Sequence, residues 1–142
     1  MKKNILFSMA ILGINIAASA QNIQAAKVPA KVKTTFAKQY PGTAVKWEKE
    51  NNKYEASFSK DGNVMSALYE ANGTMTESEK DIKVTSLPAT VLAYVKANYK
   101  GKTIKEAAII TKADGTVTYE AQVSGKDLIF DANGKFIKEM KD

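Results

Sequence analysis

The sequence contains no cysteine, no histidine and no arginine, and only three prolines and one tryptophan among 142 residues. Without cysteine or histidine there is no thiolate nucleophile, no imidazole base, no disulfide and none of the usual zinc-binding sets. Most familiar catalytic mechanisms are excluded at once. All 21 basic residues are lysine, set against 15 acids, for a formal net charge of +6. Lysine lacks the planar fork that pairs with phosphate and with guanine, and these lysines are interleaved with acids along the chain. Nucleic acid is therefore not an expected partner. A composition that is 44% apolar and 25% charged is that of an ordinary globular protein with one or two small domains.

Long apolar runs are also absent except at the front. Lys2 and Lys3 precede an uncharged stretch from Asn4 to Ala18, built on Ile5, Leu6, Phe7, Ile11, Leu12 and Ile16 and followed by Ala18-Ser19-Ala20. This is the pattern of a secretory signal peptide with cleavage after Ala20. The stretch is short for a spanning helix, which needs about 20 apolar residues. No cysteine follows it to carry a lipid. The mature chain is expected to be periplasmic or secreted, without membrane attachment. Its 122 residues carry 19 lysines and 15 acids, a net charge of +4.

Internal similarity is the strongest signal in the remainder. Val28-Pro29-Ala30 recurs as Leu87-Pro88-Ala89, and at the same offset of 59 Val32 matches Val91, Phe36 matches Val95, Tyr40 matches Tyr99, Gly42 matches Gly101 and Val45 matches Ile104. After a small shift, Tyr54-Glu55-Ala56 matches Tyr119-Glu120-Ala121, and Tyr69-Glu70-Ala71-Asn72-Gly73 matches Phe130-Asp131-Ala132-Asn133-Gly134. The four-residue spacing of the first group predicts a helix, opened by proline and closed before glycine. The alternating, turn-punctuated remainder predicts antiparallel strands. The expected layout is α+β: a signal peptide over 1–20, an N-terminal linker over 21–27, and a tandem repeat of a helix plus a four-stranded antiparallel sheet over 28–82 and 83–142, with the helices on one face and the strands in one continuous or two adjacent sheets.

Hairpin chemistry predicts a register. Asn51-Asn52, Asp61-Gly62, Asp114-Gly115 and Gly125-Lys126 read as two-residue loops, and Ala71-Asn72-Gly73 and Ala132-Asn133-Gly134 as three-residue loops with a left-handed glycine. In the first unit Val45 then faces Phe58, Trp47 faces Ala56, Phe58 faces Met65, Ala56 faces Ala67, Tyr54 faces Tyr69 and Tyr69 faces Met75. In the second, Ile110 faces Tyr119, Ala108 faces Ala121, Val123 faces Leu128, Ala121 faces Phe130 and Phe130 faces Phe136. These residues are expected to pack on the helices. Ala107, Ile109, Ile129 and Ile137 would then look away from the helix, with Ile129 opposite Ile137, and Leu68 and Val64 would extend the patch into the first unit. Such a patch is either covered by the first unit or another subunit, or is a docking surface for an extracytoplasmic protein or peptide.

The order Val-Pro-Ala, Phe36, Tyr40-Pro41-Gly42, Trp47-Glu48, Tyr54-Glu55-Ala56 and Tyr69-Glu70-Ala71-Asn72-Gly73 resembles the PepSY-like family of small exported bacterial proteins. The resemblance covers essentially the whole mature chain and implies the fold of the β-lactamase inhibitor proteins. It also implies a binding or inhibitory role. In that inhibitor an aspartate on a hairpin tip of the first unit blocks the enzyme, and Asp61 in Lys60-Asp61-Gly62 stands at the matching place.

Other motifs lead nowhere catalytic. Ser57-Phe58-Ser59-Lys60 spells S-x-x-K, but it closes a strand instead of opening a helix. Gly101-Lys102-Thr103 has Lys96 where a phosphate loop needs glycine. Asp131-Ala132-Asn133-Gly134 lacks the later ligands of a calcium loop. Glu77, Glu79 and Asp81 alternate as on an edge strand guarded by charge. The expected function is non-enzymatic binding of an extracytoplasmic protein or peptide, inhibition included, through the sheet face and hairpin tips, with Ile109, Ile129, Ile137, Leu68 and Asp61 as contact residues. No cofactor or metal is expected. The alternative is a small ligand or cell-envelope polymer stacked on Trp47 and the tyrosines, which requires those rings to be exposed in a cleft.

Overall fold

The structure, a computed structural model, describes residues 20–141. The same order of elements occurs in both halves. A 3-10 turn at Ala25–Lys27 leads to helix α1 (Ala30–Gln39) and strands β2 (Val45–Glu50), β3 (Lys53–Lys60), β4 (Asn63–Glu70) and β5 (Met75–Ile82). A second 3-10 turn at Val84–Ser86 leads to α2 (Ala89–Asn98), β6 (Ile104–Lys112), β7 (Val117–Val123), β8 (Lys126–Asp131) and β9 (Phe136–Lys141). Residues 21–27, expected to be a linker, hold strand β1 (Gln21–Ile23) as well as the first turn, and β1 pairs with β2. The expected signal peptide, residues 1–20, lies outside the described residues except for Ala20.

Each helix begins after a proline, Pro29 or Pro88, and ends before Tyr40 or Tyr99, with Gly42 and Gly101 at positive φ just beyond. Val28, Val32 and Phe36 bury one stripe of α1 against Trp47, Ala56, Phe58, Ala67 and Tyr69. Leu87, Val91 and Val95 do the same for α2 against Ala107, Ala121, Val123, Leu128 and Phe130. The first core is aromatic: Phe36 meets Trp47 and Phe58 edge-on, with ring centroids 5.5 and 5.1 Å apart. Such contacts add about 0.5–1.5 kcal/mol each to simple burial. The buried Tyr69 donates its hydroxyl proton to Gln39 Oε1 at the end of α1, at 2.7 Å.

Of one continuous or two adjacent sheets, the strands adopt the first. They form one antiparallel sheet of nine strands in sequence order, because β5 pairs with β6 from Glu77↔Lys112 to Ile82↔Ala107. The expected edge for Glu77, Glu79 and Asp81 is therefore absent, and these acids stand in the middle of the sheet. β5 finds its second partner in the next unit, so its charges cannot be serving to protect a free edge.

The first-unit register is as expected throughout, from Val45↔Phe58 to Tyr69↔Met75. The second differs at two turns. Ala113-Asp114-Gly115 is a three-residue loop, closed by hydrogen bonds between Lys112 and Thr116 and from Gly115 N–H to the Lys112 carbonyl. That single extra loop residue turns β6 over: Ile109 faces Tyr119 and Ala107 faces Ala121 on the helix side, while Ala108 and Ile110 look away. A bulge between Ile104 and Glu106 returns Ile104 to the helix side. The next turn is Ser124-Gly125, both at positive φ, which pairs Ala121 with Leu128 and Tyr119 with Phe130. Here the loop moves by one residue and the partners by two, so the faces are kept. Finally, a bulge between Ile129 and Phe130 places Lys138, and not Ile137, opposite Ile129.

The β4–β5 and β8–β9 hairpins dock on the first turns of α1 and α2. A Cβ on Gly73 would lie 2.9 Å from the Lys31 carbonyl oxygen, whereas one on Gly115 would meet nothing within 4 Å. Both glycines have similar positive φ, 90° and 85°. Gly115→Ala should therefore cost only the left-handed backbone term of about 1–2 kcal/mol. Gly73→Ala should cost clearly more, and urea unfolding of the two variants measures the difference.

Candidate functional site

Helix-side residues alternate along the strands with residues on the opposite, distal face. The cross-strand rows of that face can be followed through the pairings. One row runs Glu48, Glu55, Leu68, Glu77, Lys112, and the next runs Lys46, Ser57, Ser66, Glu79, Ile110, Thr118. A third runs Asp81, Ala108, Glu120, Ile129, Lys138. In the middle of these rows the chemistry alternates by strand. Strands β3, β5 and β7 contribute carboxylates: Glu55, then Glu77, Glu79 and Asp81, then Glu120. Strands β4, β6 and β8 contribute apolar groups: Leu68, then Ala108 and Ile110, then Ile129.

These side chains are buried. Leu68, Glu79 and Ile129 are each 4% exposed and Ile110 is 3% exposed. Glu55 is buried as well, and neither its Oε1 nor Glu79 Oε2 has a hydrogen-bond partner. Burial pushes the Glu55 carboxyl up to about 7, helped by the charges of Glu48 and Glu50 and opposed by the nearby Ser66 hydroxyl. Glu79 is held well above the ordinary carboxylate range, first by burial and then by Glu120, Asp81, Glu55 and Glu77. Burial also raises Glu77, against the pull of Lys112 and Lys53, and raises Asp81 together with Glu106. Of the lysines of this face, Lys46, Lys112 and Lys138 end the rows, with Lys112 directly opposite Glu77, and Lys53 stands between Glu50 and Glu70. Among the described residues no three acids converge as ligands for one metal ion.

The expected contact residues divide. Leu68 and Ile129 lie on the distal face. Ile109 does not: the longer β6–β7 loop turns it toward the helices. Ile137 lies in the β9 bulge and is 52% exposed. Asp61 is exposed at the β3–β4 tip with φ 51°, followed by Gly62 at φ 76°, in the paired left-handed turn that Asp-Gly favours. Ala108 and Ile110, expected on the helix side, stand instead on the distal face beside Asp81 and Glu79. Stacking on Trp47 fails as a reading, because Trp47 is 4% exposed beneath α1. Tyr69 lies in the same core. Two surface depressions of about 430 and 420 Å³ lie near the Gly101–Thr103 connector. The first is lined by Lys102, Lys105 and Gln122, the second by Val84, Leu92 and Tyr99, and neither contains an acid.

An α+β architecture of one antiparallel sheet backed by two helices is that of the β-lactamase-inhibitor-like proteins. Residues 14–75 and 66–138 each match the family described as "Putative beta-lactamase-inhibitor-like, PepSY-like", and the chain belongs to it. A BLIP-like protein from Bacteroides fragilis is 25% identical, with a TM-score of 0.67 over 80% of this chain and 86% of its own. A DUF2874 protein from Bacteroides ovatus is 20% identical, with a TM-score of 0.71 over 80% and 86%. A protein from Bacteroides eggerthii described as "putative periplasmic" is 16% identical, with a TM-score of 0.73 over 80% and 88%. No curated protein matches the chain. Among the described residues no helix is long and apolar enough to cross a membrane.

The buried acids have a cost that can be measured. A carboxyl whose pKa is raised in the folded state binds more protons folded than unfolded, so its penalty is absent below the unfolded value and grows as pH rises through the folded one. For Glu55 that window runs from about 4.5 to about 7. Glu55→Gln and Glu79→Gln should each stabilise the protein by about 1–3 kcal/mol at pH 8. The gain should shrink at pH 4.5, as urea titrations at the two pH values will read.

Proposed function

We propose that the protein is an exported, non-enzymatic binding module that engages another extracytoplasmic protein or peptide through the distal face of its sheet. The observation that carries this reading is the apolar set Leu68, Ala108, Ile110 and Ile129 on the side of the sheet away from both helices. These side chains are themselves 3–4% exposed, so they form a buried apolar layer on that side, and the surface a partner meets is the polar rim and the hairpin tips around them. Membership in the β-lactamase-inhibitor-like family supports a binding role, and the Bacteroides relative described as periplasmic supports an exported location. Inhibition is one form such binding can take, with Asp61 at the neighbouring tip as an additional contact. The recurrence of helix and four strands fits two copies of one unit joined edge to edge, and it gives the face its width.

The reading is tested by capture from the exported fraction of the native cell, with the mature chain as bait and captured proteins identified by mass spectrometry. Ile129→Lys should abolish capture, while Ile137→Lys, which lies in the edge bulge, should leave it in place. Circular dichroism and thermal unfolding establish that both baits are folded. Equal capture by wild type and a folded Ile129→Lys variant contradicts the proposal.

A further inference from the structure

The end of α2, the second 3-10 turn and the start of β6 bound a surface depression of about 420 Å³. Its apolar lining comes from Val84, Leu92, Tyr99 and Ile104. Leu92 is 36% exposed there, and among the described residues only Ile137, in the β9 bulge, is another large apolar side chain left so open. Lys96 and Lys102 are the charged residues of the lining, and no acid joins them. Among the described residues neither lysine forms an ion pair. The acid that Tyr99 reaches with its hydroxyl, Glu139, is already paired with Lys126.

The duplicated chain supplies its own control. At the offset of 59 that aligns the helices, Tyr99 and Ile104 correspond to Tyr40 and Val45, but Leu92 corresponds to Lys33, Lys96 to Ala37 and Lys102 to Thr43. Both helices have ten residues, a proline before the first and a glycine at positive φ beyond the last. The fold therefore has no need of an open leucine beside two lysines at this corner. The carbonyl end of a helix favours a cation, which α1 finds in Lys38 and α2 in Lys96. That accounts for one lysine and leaves Leu92 and Lys102 without a structural reason.

An apolar hollow alone would admit any apolar ligand, and lysines alone any anion. Apolar contact and unopposed positive charge in one place select a ligand with both complements. We infer that this depression binds a small monocarboxylate with an apolar chain, the class of the medium-chain fatty acids, with the chain against Val84, Leu92 and Ile104 and the carboxylate met by Lys96 and Lys102. The volume falls within the range of small-molecule sites, about 300–1,000 Å³. Both lysines are exposed, so water screens them and each contributes modestly. Apolar contact with Leu92 supplies the rest of the affinity. The site lies on the helix side of the sheet, beside Val95 of the second core, and is independent of the binding proposed for the distal face.

Titration of the isotope-labelled mature chain with sodium octanoate, followed by NMR below the onset of octanoate micelles, tests this. Amide signals of Leu92, Lys96, Lys102 and Thr103 should shift and saturate together. Acetate, the head without the chain, and octyltrimethylammonium, the chain with the opposite charge, should each bind at least tenfold more weakly. Lys96→Ala with Lys102→Thr installs the residues of the first unit and should lower octanoate affinity about tenfold, the effect of losing two exposed ion pairs. Leu92→Asn should lower it to a similar extent, about fivefold to tenfold. All three positions are exposed, and thermal unfolding checks that the variants keep the wild-type fold. No saturable shift at these amides overturns the inference, and so does undiminished affinity in the folded double variant. Octyltrimethylammonium binding as tightly as octanoate would mean a hollow without charge selection, and acetate binding as tightly would mean a simple anion site. Either result also overturns it.

Discussion

The hydrogen-bond ladder between β5 and β6 is the contact on which the rest of the molecule depends. Each half has its own helix and its own core, and each could bury its helix-side residues without the other. What the halves share is the run of pairs from Glu77↔Lys112 to Ile82↔Ala107. That ladder removes two free edges, each of which would otherwise offer unpaired backbone groups to other chains. It also carries the acids of β5 from a sheet edge to the centre of a broad face. Without it, Glu79 would be a solvated charge. With it, Glu79 sits between Ser66 and Ile110.

The placement has an energetic consequence. Carboxyl groups that lose water without gaining partners destabilise a fold, and proteins rarely retain them in a core where an apolar group would serve. Rules of local consistency tend to be broken at functional sites, where the loss is offset by binding. The helix side of the same sheet obeys every rule: aromatic against aromatic, tyrosine hydroxyl satisfied, glycines where hairpins touch helix ends. The contrast between two faces of one sheet is a reason to propose the distal side for binding.

Much of this was legible in the sequence. Periodicity of four at Val28, Val32, Phe36 and Tyr40 marks α1, and the two prolines and two glycines mark both helix ends. The first-unit register follows from its turns. The second-unit error came from Asp114-Gly115, which taken as a pair resembles the two-residue turn at Asp61-Gly62. The distinguishing signal is the residue before: Ala71-Asn72-Gly73, Ala113-Asp114-Gly115 and Ala132-Asn133-Gly134 share one string, while Lys60 precedes Asp61. In the first two, the Asx side chain accepts a hydrogen bond from the N–H of Thr74 or Thr116. Reading Ala-Asx-Gly as one loop type gives β6 its correct face and brings Ile110 beside the acids. The β5–β6 junction was less visible, because pairing between units involves no tight turn and leaves no local pattern. The unmet bonding of Glu55 and Glu79 depends on that junction and was hidden with it.

Native-state hydrogen exchange of the β5 amides, followed residue by residue by NMR, bears on this ladder most directly. A continuous sheet requires amides from Glu77 to Ile82 that bond toward β6 to exchange only with global unfolding, as slowly as those of β4 and β7, with cross-strand contacts between Glu79 and Ile110. Fast exchange along the β6 side of β5, with both helices still protected, would mean two separate sheets and would contradict the account.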